Sequence, residues 1–220
     1  MQQEQKDLFN PGPLYKERFQ IVQRIKQDMR TGDILYRYSD ARGPLGIPFT
    51  RMVANATKSE YSHAAMLIIS EGEPEVLEVN DEGTLKYRLL DWIDTCYGNN
   101  FSVYRLKDLD DEKEAKLKEQ MNKFLEEDPD YDLTFSSSDK YYCTESVIEI
   151  YKRAFDLQLD PGYYIKDIVT GWRYTLLYWG CWAFQIFGTS LPFDKKLYFV
   201  GNETQGMMSS PYTRLVMKIV

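Results

Sequence analysis

Histidine occurs once in the 220 residues, at His63, and cysteine three times, at Cys96, Cys143 and Cys181. So small a supply of imidazole and thiol excludes whole classes of chemistry. Three cysteines, odd in number and far apart, write neither a disulfide framework nor a CxxC metal site. One histidine with scattered cysteines cannot assemble a tetrahedral N/S set, so neither a metal nor another cofactor is expected. No cluster of Lys and Arg offsets the acidic balance, a net charge of −7 with pI near 4.9, which argues against a nucleic-acid partner. The aromatic run Leu176–Phe187, bracketed by Arg173 and Gly188, is too short to span a bilayer, and nothing in the sequence supports a membrane surface as partner. The opening Met1-Gln-Gln-Glu-Gln-Lys-Asp7 lacks the basic and apolar regions of a signal peptide. The expectation is a cytoplasmic protein, or one of the cell envelope if a leader has been removed.

What is present is ample material for a core, 43% hydrophobic with 15% aromatic residues. With no repeat and no internal linker, residues 1–220 read as one domain, an N-terminal helix (about 12–30) and an aromatic segment (about 160–220) being additions to it. Tyr15, Phe19, Val22, Ile25 and Met29 recur at three- and four-residue steps, a surface helix with one buried face. Gly32 to Tyr38 then alternates, Ile34, Tyr36 and Tyr38 against Leu35 and Arg37, which predicts a strand. The Gly- and Pro-rich stretch from Ser39 leads into a short helix near 49–56 and forms a loop able to wall a cleft. Ser62–Ile69 and Pro74–Val79 read as a hairpin about a Glu71-Gly72 turn. With Ser70 opposite Glu73, that register sets His63 opposite Asn80 and Ala65 opposite Glu78, all on one face. Leu85 to Trp92 and Phe101 to Leu106 read as further strands, Leu109 to Glu127 as a helix, and Tyr212 to Val220 as a closing strand.

Cys143 stands at the head of an amphipathic helix. Val147, Ile150, Tyr151, Ala154 and Phe155 form its apolar stripe, and Cys143, four residues before Val147, continues it, so the sulfur faces inward. The preceding Ser136-Ser-Ser-Asp139 offers an N-cap or turn, and the unpaired amides and positive dipole end of a helix start favour a thiolate. A thiol nucleophile needs a base, and His63 is the one imidazole in the chain. Residue chemistry leaves two readings of Cys143 open, nucleophile or small buried hydrophobe. It also leaves two polar groups, Glu78 and Asn80, able to orient His63.

Gly32-Asp-Ile-Leu35 opening a strand, Tyr61-Ser-His-Ala-Ala-Met66 opening the next, Leu77-Glu-Val79 on its partner, then Tyr131-Asp-Leu133, and Tyr142-Cys-Thr-Glu-Ser-Val147 on a helix stand in a fixed order. This order resembles the YiiX/YaeF-like family, the circularly permuted branch of the papain-like NlpC/P60 superfamily, over roughly Thr31 to Phe155. The resemblance implies an α+β fold, an antiparallel sheet packed on helices with the cysteine at a helix N-terminus. It also implies a thiol hydrolase or acyltransferase with Cys143 as nucleophile, His63 as base and Glu78 orienting it. Thr144 stands where the family often has Ser, a change that leaves the thiol alone. Tyr36, Tyr142 and Asn80 are further candidates for the oxyanion site or cleft, and the amide of Cys143 is placed to donate to a developing oxyanion. Three functions follow: an amidase or peptidase on a small amide or cell-wall-like peptide, an acyltransferase or thioesterase on lipid, or a binding module without activity. In each the partner is a small-molecule, peptide or acyl compound.

Overall fold

The computed structural model describes residues 13–38, 49–96, 100–132, 139–168, 171 and 195–219. In chain order these form helix α1 (Pro13–Asp28), strand β1 (Ile34–Arg37), α2 (Phe49–Thr57), β2 (His63–Ser70), β3 (Glu73–Asn80), β4 (Gly83–Arg88), α3 (Leu89–Asp94), β5 (Phe101–Leu106), α4 (Asp111–Glu127), α5 (Cys143–Phe155), β6 (Tyr163–Tyr164), α6 (Ile165–Ile168), β7 (Lys196–Leu197) and β8 (Thr213–Ile219). Six strands make one antiparallel sheet in the order β4-β3-β2-β1-β5-β8. Among the described residues no helix is long and apolar enough to cross a membrane.

Strand alternation sorts the sheet into two apolar faces, each covered by helices. Ile34, Tyr36, Ala64, Met66, Ile68, Leu77 and Val79 meet Leu117, Met121 and Phe124 of α4 and Val147, Ile150 and Tyr151 of α5. Leu35, Ala65, Leu67, Val76, Phe101 and Val103 meet Val22, Ile25 and Met29 of α1 and Leu89, Trp92 and Ile93 of α3. Each fully buried side chain of this kind contributes roughly 1.5–3 kcal/mol, so the stripe Val147, Ile150 and Tyr151 anchors α5 firmly to the sheet. Cys143 continues that stripe at the head of α5, half-buried.

Gly32 shows why the turn before β1 is written as it is. Its φ is +93°, and a Cβ there would lie 2.3 Å from Leu117 Cδ1. Glycine alone permits α4 to approach so closely. The Gly32 carbonyl accepts the Tyr151 hydroxyl at 2.7 Å, tying α5 to the same turn, and buried Asp33 receives Arg105 Nε and Nη2, both at 2.7 Å.

Two sequence expectations are corrected. Leu89 to Trp92 is not strand but the start of α3, because Leu89, Trp92 and Ile93 fall at helical spacing and bury together against β3 and β5. The N-cap of α5 is Tyr142, with no side-chain cap bond, and the serine run 136–138 lies outside the described residues. Glu145, three residues into the helix, accepts the Tyr142 N–H instead, half of a capping box without its Ser or Thr. The aromatic run 176–187, Cys181 and the loop 39–48 also lie outside the described residues.

Candidate active site

The β2–β3 ladder runs from Ser70↔Glu73 to Met66↔Leu77, the register expected from the turn. Beyond Met66 the strands keep their other neighbours, β2 pairing His63 with Arg37 of β1 and β3 pairing Glu78 with Leu85 and Asn80 with Gly83 of β4. Of the two polar groups expected to orient His63, Glu78 is the one it bonds. His63 Nε2 donates to Glu78 Oε2 at 3.0 Å, and Asn80 Nδ2 donates to Glu78 Oε1 at 2.8 Å.

Glu78 is the hub of the site. Only 2% of its surface is exposed, and an unpartnered carboxylate there would cost several kcal/mol. Its partners meet that cost. Oε2 accepts from His63, from Trp92 Nε1 at 2.7 Å and from Arg37 Nη2 at 3.1 Å; Oε1 accepts from Asn80 and, at 3.3 Å, from the same Arg37 Nη2. Burial opposes the charge, yet the positive His63 and Arg37 and the Trp92 N–H hold the carboxyl well below its usual range. The Arg37 guanidinium is also fixed by Thr95 Oγ1 and lies 5.1 Å over the Trp92 ring.

His63 in turn faces the sulfur. With Nε2 engaged by Glu78, Nδ1 is the ring nitrogen left for the hydrogen bond to Cys143. Burial disfavours the imidazolium, but the charges of Cys143 and Glu78 outweigh it and raise the pKa to about 9. For Cys143, burial likewise favours the neutral thiol. It is outweighed by the His63 charge and hydrogen bond and by the amides of Ala64 and Thr144, which donate to the sulfur and lower its pKa. Helix α5, strand β2 and strand β3 thus deliver one continuous chain, sulfur to imidazole to carboxylate.

The other sequence candidates occupy different positions. Tyr36 is fully buried, its ring packed edge-on against Tyr104 at 5.2 Å, and its hydroxyl has no partner among the described residues. The Tyr142 hydroxyl accepts the Tyr198 N–H at 2.8 Å, while Thr144 Oγ1 donates to the Tyr198 carbonyl at 2.9 Å. The two residues flanking Cys143 therefore clamp the Tyr198 backbone against the start of α5. The amide of Cys143 lies in the first turn, where N–H groups lack intrahelical acceptors.

Two further residues of the site, Arg37 and Trp92, were not singled out from sequence, and Tyr131 was named there without a role. Arg37 was legible as a charge in a short apolar strand, on the face opposite Tyr36; only the fold shows that this face holds Glu78. Trp92 reaches Glu78 because α3 is helical. Tyr131, bridged to Tyr141, lies within the field of Cys143; burial, then the charges of Cys143, Asp81 and Asp132, keep its phenol protonated far above the ordinary range.

Comparison with known proteins gives concordant results. The family model of permuted papain-like amidase enzymes, YaeF/YiiX, matches residues 28–215. The uncharacterised protein YiiX of Escherichia coli is 30% identical over 141 residues, covering 63% of this chain and 65% of that relative, so the match spans less than two thirds of the relative's length. The crystal structure of the metalloprotein YiiX from Escherichia coli aligns with a TM-score of 0.68 at 24% identity, over 87% of this chain and 98% of that one, a likeness of fold.

Proposed function

This chain belongs to the permuted papain-like amidase family, and from that premise we propose that it is a cysteine hydrolase of the amidase/peptidase type that cleaves a small amide or cell-wall-peptide-like substrate through an acyl-enzyme on Cys143. The observation that carries the reading is the chain of contacts from Cys143 through His63 to Glu78, with two backbone amides on the sulfur. In this mechanism the Cys143 thiolate adds to the substrate carbonyl carbon, and the electron pair of the C=O bond moves to oxygen. The Cys143 N–H, pointing out of the first turn, donates to that oxyanion. The imidazolium passes its Nδ1 proton to the amine as the C–N bond breaks, leaving a thioester. His63, now neutral, takes a proton from water as the water attacks the thioester, and the acid departs with return of the thiolate–imidazolium pair. Glu78 stays ionised throughout and steadies the positive imidazole.

The relative of known structure is described as a metalloprotein. Among the described residues of this chain no group of three or more His, Cys, Asp or Glu side chains is placed to hold a metal ion. Glu78 already accepts from four side chains and His63 Nε2 is committed to it, so the donor set does not fit a resident metal at this site and no step is routed through one.

Acid-quenched mass spectrometry tests the proposal. The protein is mixed with peptide amides and anilides, and in parallel with long-chain acyl esters. The expected result is turnover of the amides with a transient acyl adduct on Cys143, absent in Cys143→Ala. Acylation by the long-chain esters alone would replace the amidase reading with a lipid acyltransferase or thioesterase, and no adduct from any compound would leave a binding module.

A further inference from the structure

Arg37 stands directly across from His63 in the β1–β2 ladder, two groups that both carry positive charge in the working state. Like charges opposite one another on one sheet face repel unless a counter-charge intervenes. Glu78 is that counter-charge, and it is divided between them: Arg37 Nη2 contacts both of its oxygens, at 3.3 and 3.1 Å, while His63 holds Oε2 at 3.0 Å. The charged groups facing His63 are therefore Arg37 from β1, Glu78 from β3 and Cys143 from α5.

We propose that Arg37 is a positioning residue that acts through Glu78 to limit how tightly the imidazolium proton of His63 is held, so that His63 can release it to the leaving group. The proposal rests on the thiolate–imidazolium reading of Cys143 and His63. A buried carboxylate serving one imidazolium alone would stabilise it too well, and a proton held too tightly is poorly transferred. Arg37 draws part of the carboxylate's charge to itself and adds its own positive field. It is held for this by Thr95 and by stacking on Trp92, with its side chain 8% exposed. Glu78 does not depend on Arg37 for its place, because Trp92, Asn80 and His63 donate to it independently. This separates an electrostatic role from a merely structural one. If Arg37 only held Glu78 in place, its loss would let the carboxylate drift from His63 and the imidazole would become less basic. If Arg37 tempers Glu78, its loss makes His63 more basic.

The chain has a single histidine, so the ring signals of His63 can be followed by NMR through a pH titration of the full-length protein without assignment and without substrate. In wild type the imidazolium should persist to about pH 9. In Arg37→Met, which keeps apolar contact with Trp92, the midpoint should move up by roughly half to one unit. In Arg37→Lys, which keeps the charge, it should lie close to wild type, with melting curves confirming that both variants fold. A midpoint unchanged or lowered in Arg37→Met overturns the proposal, as does an Arg37→Lys that titrates like Arg37→Met. A wild-type midpoint near the ordinary histidine value is a different failure. It would remove the thiolate–imidazolium pair itself, and with it the functional reading.

Discussion

His63→Ala is expected to reduce turnover by at least about 10³-fold while leaving the protein folded. The activity loss follows from the scarcity of the residue, since no second imidazole exists anywhere in the chain to take over the proton. The variant loses two things together: the base that accepts and returns the proton, and the charge and hydrogen bond that lower the pKa of Cys143. Folding survives because Glu78, whose buried charge needs partners, still accepts from Arg37, Trp92 and Asn80. Steady-state rates on any substrate found, together with thermal melts, check both halves. Activity within tenfold of wild type would mean that some other group is the base.

Glu78→Gln should cut activity by about 10-fold to 10³-fold, and Asn80→Ala should be milder. Glutamine retains the shape and some hydrogen bonds of the carboxylate but removes the charge that stabilises imidazolium. The direction of the pH change can be worked through from the two titrations. Without the negative charge His63 loses its proton at lower pH than about 9, and the thiol, facing a less persistent cation, ionises at higher pH. The pH window in which both groups are charged should narrow from both sides. Asn80 touches Glu78 and not His63, so its removal takes away one of four donors and leaves the charge in place. If Asn80→Ala proves the more damaging variant and Glu78→Gln behaves as wild type, the amide is the group that matters and Glu78 has been misassigned. Arg37→Met should move the upper limb of the profile in the opposite direction to Glu78→Gln.

Much of this arrangement could be read from local pattern. The Glu71-Gly72 turn set the hairpin register correctly as far as Met66↔Leu77 because a two-residue turn leaves the following pairs little choice. The four-residue step from Val147 back to Cys143 set the inward side of α5 because helical periodicity is local too. What escaped was non-local. Hairpin logic puts Asn80 across from His63 and Glu78 one pair along the same face, and which of them receives the imidazole is decided by the donors that β1 and α3 bring to Glu78. Leu89–Trp92 reads as strand in the sequence because a six-residue helix gives too few turns for its period to stand out from a β-type residue such as Trp92. Arg37 could be assigned to a face but not to a partner, since what shares that face, Glu78 of β3 and Trp92 of α3, is decided by strand order. Gly32 looked like a turn residue, and its second role, admitting Leu117 of α4, appears only once a helix more than eighty residues later has packed against it.

The central claim is that Cys143 is held as a thiolate by His63, and the pH dependence of its alkylation tests that most directly. Iodoacetamide labelling of the native protein, resolved by peptide mass spectrometry across the pH range, reports each thiol separately. Cys143 is half-buried and within reach of reagent, whereas Cys96 is 5% exposed and donates to the Trp92 carbonyl. The account predicts that Cys143 labels much faster than Cys96 and Cys181 near neutral pH, with a rate that stays high well below pH 8.5, and that His63→Ala returns it to ordinary thiol behaviour. Labelling of Cys143 that simply follows a thiol of pKa about 8.5, unchanged by loss of His63, would contradict it.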